Sequence, residues 1–195
     1  GNLGVDVAVG EGQGLGNHLN FGGPYLGLLA AREEFLRRLP GRIVGETLDL
    51  DGRTGYVLTL QAREQHIRRD KATSNICTNQ TLMAVAAAIH LSWLGPQGLT
   101  DLGRACAAKA SYAAERLTAI DGVDLLFPGR PFFKEFALRL PRHAGEVRDA
   151  LIERGYLAGV PTPDADGAAL LVAVTERRTR TEIDGLARAM GEVLA

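Results

Sequence analysis

The densest run of chemistry-bearing side chains is Arg63-Glu64-Gln65-His66-Ile67-Arg68-Arg69-Asp70-Lys71-Ala72-Thr73-Ser74-Asn75. Cations there precede two hydroxyls, an amide and a strongly apolar helical stretch. Hydroxyls and free backbone N–H groups at a helix start make an anion site, which the helix dipole favours. The same residues suit a plainer role, in which Thr73, Ser74 or Asn75 caps the helix and the charges are solvated. A second candidate is the loop Gly10, Gly12, Gly14 and Gly16. It fits neither G-x-G-x-x-G nor G-x-x-x-x-G-K-[ST], so a nucleotide site has little support and a turn between strands accounts for the pattern. His18, His90 and His143 stand apart from one another and from any metal-ligand spacing. His90 sits in an apolar run and is expected to be a core group. Cys77 has no neighbouring base and reads as a structural thiol. No G-x-S-x-G elbow is present, which leaves hydrolase chemistry unsupported.

The elements that must hold these groups follow from periodicity. Val5, Val7 and Val9 alternate into the glycine loop as a short strand, and residues 26–30 read as a second, buried strand. Residues 33–39 form a short helix stopped by Pro40 and Gly41. A strand over 56–60 follows the turn signal Asp51-Gly52. Residues 81–94 are apolar almost all round and predict a buried helix, broken by Gly95 and Pro96. A long helix over 98–120 comes next. Beyond it the order is a strand at 136–140, a helix at 144–154 with Val147, Leu151 and Ile152 on one side, a strand at 168–175, and a helix at 181–194. That helix carries Ile183, Leu186, Met190 and Val193 inward. This order predicts a small α/β lobe on an antiparallel or mixed sheet.

The 195 residues are 46% hydrophobic and 23% charged, with a net charge of -1. That is an ordinary globular composition with no basic field for nucleic acid. No uninterrupted apolar run reaches the length of a membrane span, and the first residues lack a signal-peptide pattern. The two cysteines, Cys77 and Cys106, show no CxxC spacing, so a reducing, cytoplasmic setting without a metal centre is expected.

Three stretches together carry a resemblance: EGQGLGNHLNFGGPYLGLLAARE, LPGRIVGETLDLDGRTGYVLTLQAREQHIRRDKATSNICTNQ and LLVAVTERRTRTEIDGLARAM. They are similar to the first subunit of the glycine decarboxylase P-protein family of the glycine cleavage system, and the likeness extends over essentially the whole chain. The resemblance implies an α/β, fold-type I pyridoxal-phosphate transferase architecture. Residues 1–96 would end the large domain, and residues 97–195 would supply a long helix and a small C-terminal α/β domain. Such subunits are more than twice this length. The implied reaction is glycine decarboxylation with aminomethyl transfer to the lipoyl H-protein, in a hetero-oligomer whose subunit 2 bears the pyridoxal phosphate.

In the cofactor-bearing half of the family a His-Lys precedes a glycine run ending in Gly-Pro. Counting back from Gly23 and Pro24 by that interval places Gln13 where the Schiff-base lysine would stand. An amide nitrogen is no amine nucleophile, so no catalytic residue is expected in this chain. The resemblance further implies that Thr73 and Ser74 reach a partner's cofactor phosphate in trans, with Asn75 orienting the loop. Arg63, His66 and Arg68 are expected at an entrance or interface. Two other readings stay open: a self-contained aminotransferase- or desulfurase-like enzyme using Lys71, Lys109 or Lys134, and a purely structural interaction domain.

Overall fold

The computed structural model describes residues 2–72, 80–163 and 166–195. The chain divides into two compact units, Gly1–Leu94 and Gly95–Ala195.

The first unit is built from two hairpins and a helix. Strands β1 (Val7–Glu11) and β2 (Gly27–Ala31) pair antiparallel from Val7↔Ala31 to Glu11↔Gly27. A 3-10 helix, Glu33–Arg38, follows and ends before Gly41, whose φ is 92°. Strands β3 (Ile43–Leu48) and β4 (Thr54–Thr59) form the second hairpin. Its turn is closed by Asp49, whose Oδ1 accepts from the backbone N–H of Asp51 and of Arg53 at 2.9 Å each. β3 was not expected, because Gly45 and Glu46 interrupt its apolar alternation; pairing with β4 creates it.

A four-residue helix, α1 (Gln65–Arg68), lies within the polar stretch. The helix α2 (Thr81–Thr118) is two helices, because Gly95 adopts φ 64° and ψ 177°. Burial in this unit departs from expectation. β2 and the 81–94 helix were predicted to be buried, yet Leu28, Leu29, Leu82, Val85, Ile89 and Trp93 are all exposed. Each sheet has only two strands, and among the described residues no second layer covers them. Ala87 is the unit's only buried apolar side chain among the described residues.

By length and mean hydropathy (1.2), α2 would pass for a membrane span, against the reading from uninterrupted apolar runs. Gly95 divides it. Residues 81–94 would rise only about 21 Å at 1.5 Å per residue, against a hydrocarbon core of about 30 Å. Residues 96–118 carry Asp101, Arg104, Lys109, Glu115 and Arg116.

The second unit follows its sequence pattern closely. Strands β5 (Asp124–Leu125), β6 (Glu135–Arg139), β7 (Val160–Pro161) and β8 (Ala169–Ala173) form one antiparallel sheet in the order β5-β6-β8-β7. In the register Phe136↔Val172 and Leu138↔Leu170 all four side chains are buried. They join a core with Leu117 of α2, Val147 and Leu151 of α3 (Ala144–Ile152), and Ile183 and Met190 of α4 (Arg180–Leu194). Alanines 110, 113 and 114 let α2 approach without large side chains. Each fully buried leucine here contributes roughly 1.5–3 kcal/mol.

Ile152, assigned inward from its spacing, is exposed; Ala144 takes the inward position instead. α4 starts with a capping box. The Thr179 hydroxyl accepts from the Glu182 N–H, and the Glu182 carboxylate accepts from the Thr179 N–H.

Candidate functional site

Gln13 follows β1 in the glycine loop and is partly buried. Its backbone N–H donates to Glu11 Oε1 at 2.8 Å. Its side-chain Nε2 donates to the Asn17 carbonyl at 3.0 Å, while its own carbonyl accepts the Asn17 N–H at 3.1 Å. The two residues therefore clasp each other in both directions. Asn17 in turn donates Nδ2 to the Met83 carbonyl of α2 at 3.4 Å. Two glycines allow the close approaches, Gly12 within the loop itself and Gly16 against α2. A Cβ on Gly12 would lie 2.9 Å from the Leu26 side chain, and one on Gly16 would lie 2.6 Å from His90 Cβ. His90 is half-buried against that loop and is not the core histidine expected.

The polar segment places its members differently. Arg63 spends its guanidinium on carbonyls: Nε on Leu60 at 3.2 Å, Nη2 on Gly41 at 3.0 Å, and Nη1 on Leu39. Such a clamp ties the segment to the Pro40-Gly41 turn. Glu64 is the only buried charged residue among those described. Its Oε2 is 3.4 Å from Arg42 Nε and 3.4 Å from His66 Nδ1. His66 is over half exposed and Arg68 is exposed. No hydrogen bond among the described residues joins Gln13 to Arg63, His66 or Arg68. Thr73, Ser74, Asn75 and Cys77 lie outside the described residues.

Glu64, Arg42 and Asn17 were not singled out from sequence. The Arg42–Glu64 pair spans 22 residues and the Asn17–Met83 bond spans 66, separations at which local spacing gives no signal. Among the described residues no three His, Cys, Asp or Glu side chains converge as a metal site would require.

The family model of the glycine cleavage system P-protein matches residues 1–190. The chain belongs to that family. Two P-protein relatives, each described as "Probable glycine dehydrogenase (decarboxylating) subunit 1", are close in sequence. The one from Moorella thermoacetica is 55% identical over 100% of this chain and 44% of its own length. The one from Chlorobium limicola is 52% identical over 97% of this chain and 43% of its own. This P-protein chain thus spans under half the length of the curated relatives it matches.

Among solved structures, a glycine decarboxylase P-protein in inhibitor-bound form superposes with a TM-score of 0.89 at 46% identity, covering 98% of this chain and 44% of that one. A cystine C-S lyase variant with glycine covalently linked to its pyridoxal-phosphate cofactor superposes at 0.62 with 17% identity, over 98% of this chain and 47% of that one. The fold of this P-protein chain is accordingly that of the fold-type I pyridoxal-phosphate enzymes.

A covalently held pyridoxal phosphate needs a free amine, and the side chain of Gln13 does not provide one. Its nitrogen is an amide and already donates to Asn17, so the described loop offers no amine there.

Proposed function

We propose that this chain is the non-cofactor-bearing part of a glycine-decarboxylating P-protein, completing the site of a subunit that holds pyridoxal phosphate. What supports this reading is Gln13, an amide clasped to Asn17 at the position where counting back from Gly23 and Pro24 expects the lysine. Bound in the partner, the cofactor supplies the electron sink for loss of CO2 from glycine. The aminomethyl group then passes to the lipoyl H-protein. This chain's own contribution is to bind and orient. Thr73 and Ser74 reach the partner's cofactor phosphate, Asn75 orients their loop, and the Gln13–Asn17 clasp fixes the glycine loop against α2. Arg68 and His66, both exposed, face an interface or entrance. Arg63 acts through its clamp on Leu39, Gly41 and Leu60. The setting is the cytoplasm.

The test has two parts. Borohydride reduction of the purified chain with pyridoxal phosphate, followed by peptide mapping, is expected to label none of Lys71, Lys109 and Lys134 stoichiometrically. Glycine–bicarbonate exchange is expected only when the cofactor-bearing subunit and H-protein are added. A stoichiometric lysine adduct, or exchange by the chain without its partner subunit, overturns the proposal. Unchanged cofactor affinity and turnover on replacing both Thr73 and Ser74 by alanine in the complex would favour a purely structural role.

A further inference from the structure

Within the second unit, α2 and α4 carry a group of charges that the proposed activity does not use. Arg180, Asp184 and Arg188 are spaced four apart, so they share one stripe of α4, and Tyr112 and Arg116 share one stripe of α2. Asp184 Oδ1 accepts from the Tyr112 O–H at 2.7 Å and from Arg116 Nε at 3.0 Å. Arg180 donates Nε to the Tyr112 oxygen at 3.1 Å and lies 5.1 Å from the centre of that ring. The hydrogen bond from Tyr112, then the hydrogen bond and charge of Arg116, hold the Asp184 carboxyl below its ordinary range.

The carboxylate is thus satisfied, while the guanidinium groups are not. Arg116 is oriented through Nε alone, and among the described residues its two Nη groups have no protein partner. Arg188 is exposed and bonds to nothing among the described residues. Both arginines line an open basin of about 480 Å³ whose remaining walls are Ala119, Ile120, Asp184 and Ala187.

Three guanidinium groups against one carboxylate leave surplus positive charge, and two of them border the same depression. The exposed groups are hydrated in the free chain, and an anion entering the basin would gain from both at once. A planar fork already aimed by Asp184 suits a carboxylate in bidentate geometry. The floor of Ile120 and Ala187 suits aliphatic groups beside that carboxylate. The basin is open rather than enclosed, which admits a passing polypeptide better than it retains a small molecule. We infer that this basin is a docking surface for an acidic segment of a partner protein, with Arg116 and Arg188 taking carboxylates and Ile120 taking a neighbouring aliphatic side chain.

The probe is a short fluorescein-labelled peptide of alternating Glu and Leu, titrated by anisotropy into the full chain at low and moderate salt. Saturable binding weakened by salt is expected, with no binding by a Lys-Leu peptide. Arg188→Glu is expected to weaken binding about tenfold by removing an attraction and adding a repulsion. Arg188→Lys should retain most of the affinity. Because the Arg188 side chain makes no bond among the described residues, Arg188→Lys and Arg188→Gln should melt as the parent does, and Arg188→Gln, which adds no like-charge pair with Asp184 or Glu192, should weaken binding in the same direction as Arg188→Glu. Equal affinity in parent and Arg188→Glu chains overturns the inference. Displacement of the peptide by inorganic phosphate at the peptide's own concentration also overturns it, since the basin would then be a small-anion site.

Discussion

Three glycines of the first loop separate two physical effects that are usually confounded. Gly14 has no atom within 4 Å of an added Cβ and no positive φ. Gly22 also has open space but adopts φ +97°. Gly16 adopts φ +85°, and its Cβ would sit 2.6 Å from His90 Cβ and 2.7 Å from Cγ. Gly14→Ala should therefore be neutral or stabilise by about 0.4–1 kcal/mol through the unfolded chain. Gly22→Ala should cost about 1–2 kcal/mol for the left-handed backbone alone. Gly16→Ala bears that cost and a steric one. Ordinary carbon contacts lie near 3.5–4.0 Å, so loop and helix must part by roughly 1 Å. His90 Cβ is fixed to the α2 backbone, and no rotamer change relieves the overlap. Overpacking of this kind costs about 1–3 kcal/mol, for a total of about 2–5 kcal/mol. Native-state amide hydrogen exchange, read on peptides covering 7–31 and 81–94, measures the loss locally, with peptides of α4 as an internal reference. If Gly16→Ala lowers protection no more than Gly22→Ala does, the loop is not seated on His90 and the reasoning fails.

In the second unit, Leu138→Ala should destabilise by about 2–5 kcal/mol in urea unfolding followed by exchange of α4 amides, because Leu138 is fully buried opposite Leu170. Arg63→Lys should lower protection of the 33–41 region by about 1–3 kcal/mol, since one ammonium cannot span three carbonyls on separate turns. Glu182 is held below its ordinary value of 4.5, chiefly by the Thr179 N–H, and Asp184 below 3.8, chiefly by Tyr112. A depressed carboxyl stabilises the fold above its unfolded pKa and loses that contribution as pH falls through its folded pKa. The melting temperature of the unit should thus drop on acidification below those values, and Glu182→Gln, which cannot titrate, should flatten the drop.

What the sequence revealed depended on how each element is stabilised. β6, β8, α2 beyond Gly95, α3 and α4 were legible because one contiguous core imposes a period on each of them. Ile152 was misplaced only because Ala144, being small, gives a weak inward signal. β5 and β7, two residues each, exist by pairing with longer neighbours and have no pattern of their own. In the first unit, apolar composition marked 81–94 and β2 as surfaces suited to burial, but composition does not say what lies against them. Of the candidate site, the absence of a lysine at position 13 could be read directly. The clasp with Asn17, the carbonyl clamp of Arg63 and the burial of Glu64 could not, because each depends on geometry that folding creates.

The interruption of α2 rests on two residues with different tasks, one permitting the break and one enforcing it. Gly95 holds φ 64° with ψ 177°, a combination essentially reserved for glycine, although nothing crowds the place where a side chain would grow. Pro96 independently keeps its predecessor out of the helical region and has no N–H to offer. Replacing Pro96 would therefore leave only a permissive glycine, able to join the helix at about 1 kcal/mol, whereas replacing Gly95 would keep the break and strain it.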